Sequence, residues 1–291
     1  MKPVAFSYMR PGTISEATAA LAAHGGDGRI IAGGQSLGAM LNMRLVTPKV
    51  LIDINRIADG DRIGAARDHV RIGPTVRQSD AMTDPRLDAI ALLKAALPHV
   101  GHYQTRNRGT ICGSLAHADP SSELPLALLV CGGAVELQSR RGSRTLNADE
   151  FFVSTLTTAR REDEMVAASR WPAAPPQSGC AFDEFAIRGG AYAIVAAAAQ
   201  VELDGSGKLV SIRVGLAGVG ERPALVDTTR LEGETPSTAI ADEIMDRARR
   251  GIDPPSDLQA SAQYRRNLAG LYAKKVFNDA VAQARQRTGH A

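Results

Sequence analysis

Cysteine is scarce in this chain of 291 residues, with three copies at 112, 131 and 180. They are far apart and form no CxxC pair, so the sequence holds neither a disulfide framework nor a zinc or iron–sulfur cassette. Aromatic residues make up only 4% of the chain, which argues against a nucleic-acid surface built on stacked bases. Basic runs never exceed two residues and the formal net charge is +3. That leaves no electrostatic footprint for DNA, RNA or an anionic membrane. No apolar run approaches the roughly 18 residues of a membrane span. The start Met1-Lys2-Pro3-Val4 has no apolar signal core, and the expected location is the cytoplasm.

What remains is ordinary in amount, 44% hydrophobic and 22% charged, and the length suits two or three modest domains. Thr13-Ile14-Ser15-Glu16 predicts a capped helix running to His24. A strand over 29–32, a helix carrying Leu37, Met40, Leu41 and Leu45, and a strand over 50–54 complete a first lobe, 1–56. A hairpin of 62–65 with 69–72 opens a second lobe, 57–172, with helices near 78–82 and 88–97 and paired strands at 134–138 and 144–146. The run from Trp171 to Gly179, rich in proline, reads as a linker. A third domain, 180–287, carries strands near 182–187, 200–203 and 209–215 and helices over 237–250 and 261–287. The last is expected to turn Tyr264, Leu268, Leu271, Tyr272 and Phe277 to one face.

Two stretches carry the chemistry. Ile30-Ile31-Ala32-Gly33-Gly34-Gln35-Ser36 is a short apolar run, two glycines and polar residues opening a helix. Arg108-Gly109-Thr110-Ile111-Cys112-Gly113-Ser114 lines up small residues and hydroxyls where the chain is expected to turn sharply. It then passes through Asp119-Pro120 toward an apolar helix, Leu124 to Val130, with Pro120 in the first turn and Glu123 at its positive end. Each stretch offers free N–H groups beside a helix start, an arrangement that holds phosphate, and glycine lets the backbone come close. Two such loops suggest a ligand with two phosphates. Gly215 to Gly220 follows a strand, but its glycines fall as GxxGxG ahead of Glu221-Arg222-Pro223, outside the context of a nicotinamide fingerprint.

Other residues are open to two readings. His117 with Asp119 is either an acid–base pair or a loop hydrogen-bonding group, and the second is favoured because no metal-ligand spacing supports the first. Cys112 is either a nucleophile, which would need an activating base, or a small side chain tolerated in a crowded loop. His99, His102 and Gly101 lie just upstream as possible ligand neighbours. Tyr192 is either a core aromatic or a cover for a flat ring, and Arg188 either a surface charge or a cofactor partner.

With these residues in view, AGGQSL at 32–37 and RNRGTICGSLAHADPSSELP at 106–125 resemble the FAD-binding medium subunits of molybdenum hydroxylases. The likeness extends over the LIDI strand, the FDEFAIRGGAYAIVAAA segment and the SAQYRRNLA helix. It implies an α+β fold: two lobes of the PCMH type clasping FAD, then a C-terminal domain of a small antiparallel sheet plus helices. By position, Ala32 to Ser36 and Thr110 to Ser114 would hold the pyrophosphate, with Ile30 and Ile31 also among the cofactor-binding residues. Glu123 would meet the ribose, and Gly101, His102, Arg188 and Tyr192 would come near the cofactor. The family loop reads TIGG where this chain has Thr110-Ile111-Cys112-Gly113, and Gly-Asp-Tyr where it has Gly190-Ala191-Tyr192. The resemblance implies a large molybdopterin-binding subunit and a small [2Fe-2S] subunit as partners, assembled as a dimer of heterotrimers. FAD would pass electrons to an external acceptor, with no catalytic side chain and no metal on this chain. A stand-alone FAD oxidoreductase acting on a small substrate is the competing reading.

Overall fold

The computed structural model describes residues 2–66 and 68–289; Arg67, at the tip of the expected first hairpin, lies outside them. In the first sheet, β1 (Ser7–Met9) leads through α1 (Ile14–His24) to β2 (Gly28–Ile31), then through α2 (Leu37–Asn42) to β3 (Val50–Asp53). These strands pair in parallel, in the order β1-β3-β2. Thr13 caps α1 by accepting from the Glu16 amide at 3.1 Å, while the Glu16 carboxylate reaches back to Gly12 N at 2.7 Å. α2 is shorter than the apolar spacing predicts. It stops at Asn42, Arg44 takes φ +57°, and Leu45 stands outside it, exposed.

The second sheet is antiparallel, in the order β4-β5-β10-β6-β7. Its first members are β4 (Ile63–Ala65) and β5 (His69–Ile72). Five helices follow: α3 (Gln78–Thr83), α4 (Ala91–Ala96), α5 (Tyr103–Arg108), α6 (Ile111–His117) and α7 (Glu123–Cys131). The chain then forms β6 (Ala134–Ser139), β7 (Gly142–Asn147), α8 (Ala148–Phe151) and the small hairpin of β8 (Phe152–Ser154) with β9 (Thr157–Thr158). β10 (Met165–Pro172) completes this sheet. The linker expected from Trp171 is therefore shorter than the proline pattern suggests. Trp171 and Pro172 are sheet residues, and the Trp171 ring is fully buried with its indole N–H on Ser169 Oγ at 2.9 Å. A buried indole needs an acceptor, and the strand supplies one two residues away.

The third sheet runs β11 (Ser178–Phe185), β12 (Val195–Leu203), β13 (Leu209–Ala217) and β14 (Ala224–Leu225), antiparallel throughout. α9 (Thr238–Arg250) and α10 (Ala262–Thr288) follow, and α10 lies across one face of the sheet. α7 and α4 pack on the other. The alanine-rich stretch before Gln200 is ambiguous in sequence because it is central strand β12, covered on both sides. Ala196 and Ala198 join the core around α7, while Ala197 and Ala199 join the core around α10. Strands buried on both faces show no polar alternation. α7 is buried at all nine positions, as an apolar helix between two sheets must be.

Of the large side chains expected on one face of α10, Phe277 is buried and Leu268 and Tyr272 pack partly buried against the core. Ala269, Ala273, Val276, Phe277, Ala280 and Ala284 are buried, whereas Tyr264 and Leu271 are exposed. Alanines let the helix lie close to the strand. At the tightest point a Cβ on Gly179 would run into the Ala280 carbonyl and come within 2.6 Å of Ala284 N. Gly179→Ala is expected to cost about 2–3 kcal/mol, the scale of forced overpacking, with urea denaturation of the wild-type and variant chains as the measurement.

Candidate functional site

Ala32 to Ser36 leave the C-terminal end of β2, the end at which open α/β sheets bind ligands. Gly34 has φ +71°, a conformation that favours glycine. Among the described residues no protein acceptor meets the backbone amides of Gly33, Gly34, Gln35 or Ser36. The second stretch is not the sharply turning loop expected from its small residues. Ile111 to His117 form α6, with Thr110 as N-cap accepting from the Gly113 amide at 2.9 Å. The turn comes later, at Ala118 with φ +52°, and α7 begins at Glu123, so Pro120 precedes the helix rather than sitting in its first turn.

Gly33 owes its identity to protein packing. A Cβ there would overlap the Arg108 carbonyl oxygen and lie 2.9 Å from Gly109 Cα, so the two stretches touch backbone to backbone. Two side chains that the motifs do not reveal bolt this contact. Asn55 Nδ2 donates to Ala32 O at 2.8 Å, and Asn55 Oδ1 accepts from Arg77 Nη2 at 2.6 Å. Arg77 Nη1 donates in turn to the Arg108 carbonyl. Asp53 orients Asn55, accepting from its backbone amide at 2.9 Å. Burial would raise the Asp53 carboxyl, but bonds from Tyr8 and Asn55 outweigh it and hold the pKa low.

Between these stretches lies a cleft of about 610 Å³, within the usual range for organic ligands. Ile30, Ile31, Ala32, Gly33, Gly34, Gln35 and Ser36 line one side, and Thr110, Cys112, Gly113, Ser114 and Glu123 the other. Gly101 and Tyr192 also line it. Ile111 does not; it is fully buried in the core. His102 stands just outside the lining, its ring against Gly190, where a Cβ would overlap it. Arg188 is exposed and away from the cleft wall. Gln78, Arg29 and Arg160, not singled out by any motif, do line it.

The doubtful residues now have places. Cys112 is helical, without a positive φ, and its Sγ faces Ile72 O at 3.5 Å and Ser169 Oγ at 3.7 Å. Burial pushes its thiol up to about 12, so it is a packing residue rather than a nucleophile. His117 lines the cleft, and burial lowers its pKa. Asp119 turns away to accept from the Ser121 amide at 2.8 Å. No group of three or more metal-ligating side chains occurs among the described residues.

Glu123 is 5% exposed, at the first position of α7 on the cleft wall. Burial pushes its carboxyl up to about 7. Gln78 is also buried, and its Oε1 has no partner. Unpaired amides in the first loop, an orphaned amide oxygen and a buried carboxylate form a donor and acceptor set that fits a dinucleotide, with a pyrophosphate on the amides and a diol at the carboxylate.

Residues 4–174 match the family described as the FAD binding domain in molybdopterin dehydrogenase, and residues 180–280 match the CO dehydrogenase flavoprotein C-terminal domain. The chain belongs to this flavoprotein family. It is 35% identical to the nicotine 6-hydroxylase medium subunit of Paenarthrobacter nicotinovorans, over 97% of this chain and 100% of that one. It is 32% identical to the carbon monoxide dehydrogenase medium chain of Hydrogenophaga pseudoflava, over 97% and 99%. Among solved structures, quinoline 2-oxidoreductase from Pseudomonas putida 86 superposes with a TM-score of 0.92 at 33% identity, covering 98% of this chain and 99% of its counterpart. The flavoprotein is thus an FAD-binding medium subunit of the molybdenum hydroxylase class, with the α+β fold the resemblance implies. No helix among the described residues is long and apolar enough to cross a membrane.

Glu123 also makes the flavoprotein's stability depend on pH. Its folded pKa lies above the ordinary 4.5, so its contribution is fully present below about pH 4.5 and is lost as pH rises through about 7. In the flavin-free chain, Glu123→Gln is expected to gain about 3 kcal/mol on wild type between those limits, checked by urea denaturation across the range. For the clamp, Asn55→Ala is expected to weaken FAD binding about tenfold, near one lost hydrogen bond to a partner left unpaired, read by flavin fluorescence titration.

Proposed function

We propose that this chain carries FAD as the electron-transfer subunit of a multi-subunit molybdenum hydroxylase, taking electrons from a small [2Fe-2S] subunit and handing them to an external acceptor. The observation that carries this reading is the cleft itself, where two backbone stretches held together by Asn55 and Arg77 meet a buried carboxylate. The residues 1–56 and 57–172 act as the two clasping lobes, and 180–287 as the domain that closes the flavin end through Gly190, Ala191 and Tyr192. Substrate oxidation takes place on a large molybdopterin-binding subunit, in a dimer of heterotrimers in the cytoplasm.

FAD, when bound, supplies the two-electron and one-electron chemistry that links such a donor to such an acceptor. The chain's own residues position it. The free amides of Gly33 to Ser36 and the Ser114 hydroxyl hold the pyrophosphate. Thr110 keeps its O–H to donate, since its oxygen already accepts from Gly113. Glu123 accepts from a ribose hydroxyl. Tyr192, half-exposed at the mouth, covers the ring. Its phenol pKa is raised, by burial first and then by Asp119 and Glu123, so it stays neutral. Relatives bear the names of nicotine 6-hydroxylase, caffeine dehydrogenase and carbon monoxide dehydrogenase. A flavin subunit common to such different substrates does not itself select them, and selection falls to the large subunit.

The test is purification from the native source with whatever co-purifies. Flavin absorption overlaid with iron–sulfur bands, with molybdenum by metal analysis, is the expected result. Flavin alone with substrate turnover retained would favour the stand-alone oxidoreductase. In the isolated chain above pH 8, Glu123→Ala is expected to weaken FAD by about 1–2 kcal/mol, and an unchanged dissociation constant would remove the ribose role.

A further inference from the structure

The cleft runs back along β2, where Gly28, Arg29 and Ile30 line it. At about 3.3 Å per residue it therefore extends about 10 Å upstream of Ala32. Arg160, in the turn after β9, lines it too, together with Leu156 between β8 and β9 and Met165 at the start of β10. Besides Cys112 and Tyr192, the other titratable residues on the cleft are Glu164, His117 and Glu123. The Glu164 carboxylate is engaged, by Arg144 Nε and Nη2 at 2.8 and 2.9 Å and by the Arg161 amide at 2.7 Å. Arg160 is fixed through one nitrogen, since its Nη1 donates to the carbonyls of Arg161 at 3.0 Å and Glu164 at 2.8 Å. Among the described residues its Nε and Nη2 meet no acceptor, the Arg29 side chain meets none at all, and neither arginine forms an ion pair.

Two cations that line one cleft without a counter-ion make an incomplete site, and burial adds to the cost at Arg160, which also feels the charge of Arg29. With the phosphates on the amides of Gly33 to Ser36 and the flavin ring under Tyr192, the part of FAD left without a partner is its adenine. Adenine offers what these guanidinium groups lack. Its ring nitrogens accept from N–H donors, and its face takes a planar guanidinium in a stack. The apolar side chains of Ile30, Leu156 and Met165 on the same lining suit the rest of the base. We infer that Arg29 and Arg160 hold the adenine base and so make the cleft select the dinucleotide FAD over FMN. This rests on the reading of the cleft given above, with the pyrophosphate on the amides and the ring under Tyr192. A grip on phosphate would need only charge, which lysine also supplies, whereas a grip on the base needs the guanidinium plane.

Ligands that carry different parts of FAD separate these roles. FAD, FMN and ADP are titrated into the flavin-free full chain, the flavins by quenching of their fluorescence and ADP by displacement of FAD. Wild type is expected to bind FAD more tightly than FMN. Arg160→Gln is expected to weaken FAD and ADP about tenfold, the scale of a desolvated guanidinium–ring contact, and to leave FMN unchanged. Arg29→Gln breaks no side-chain bond within the protein and is expected to act in the same direction, which separates a lost ligand contact from a disturbed turn at Arg160. Arg160→Lys, with the charge but not the plane, is expected to stay near Arg160→Gln. FAD and FMN weakened alike by both glutamine variants, no loss of ADP binding in either, or full recovery with lysine overturns the inference. Failure of wild type to bind FAD would instead overturn the reading of the cleft.

Discussion

The Gly33 α-carbon rests against the Arg108 carbonyl with no room for a methyl group. That contact joins the end of a parallel strand in one sheet to the end of a short helix packed beside another. A backbone carbonyl at such an approach needs a donor, and Arg77 supplies it while also holding Asn55. Asn55 then satisfies the Ala32 carbonyl on the far side. One carbonyl, one guanidinium and one amide thus join the two stretches, and among the described residues the amides of Gly33 to Ser36 meet no protein acceptor.

The third sheet stands in the same relation to α7. A Cβ at Gly215 would lie 2.5 Å from a Val130 methyl, and Arg213 donates to the carbonyls of Val130 and Leu129 at 2.7 and 2.8 Å. The C-terminal end of α7 is therefore finished by the sheet, which meets carbonyls that a helix end leaves open. Glu123 sits at the opposite end of the same helix. Its place on the cleft wall is fixed by a nine-residue apolar rod held between two sheets, and the alanines of β12 are what allow that rod and α10 to lie so close on either face.

These relations explain which parts could be read from sequence. Both glycine-containing stretches, Glu123 and the family were legible because each is a local pattern, a few residues long, with its chemistry on its face. Ile111 belongs to the motif yet is buried in the core, and Cys112, though on the cleft wall, turns its thiol inward to Ile72 and Ser169, since a helix groups only residues three or four apart on one face. Asn55, Arg77 and Gln78 lay outside every motif because their importance is a matter of reach across the fold, between residues 22 to 32 positions apart. The long strand β12 was hidden for a related reason: with both faces covered, alanine serves on each, and no period of two survives. Trp171 read as linker because proline follows it, although its indole was already claimed by Ser169.

A buried carboxylate without a cation is costly, and this chain keeps one at the wall of its main cleft. The same free energy that raises Glu123 makes the flavin-free protein prefer a neutral group there, while a ribose hydroxyl, in the role proposed for this residue, would prefer an acceptor. With that contact made, binding and ionisation would be linked, each favouring the other in equal measure. The unpaired amides of the first loop carry the same logic with the opposite sign, since they lack an acceptor until an anion arrives. The cleft accordingly holds unmet donors on one side and an unmet acceptor on the other, and a dinucleotide lying across it satisfies both. Loading with FAD then stabilises the folded chain by mass action.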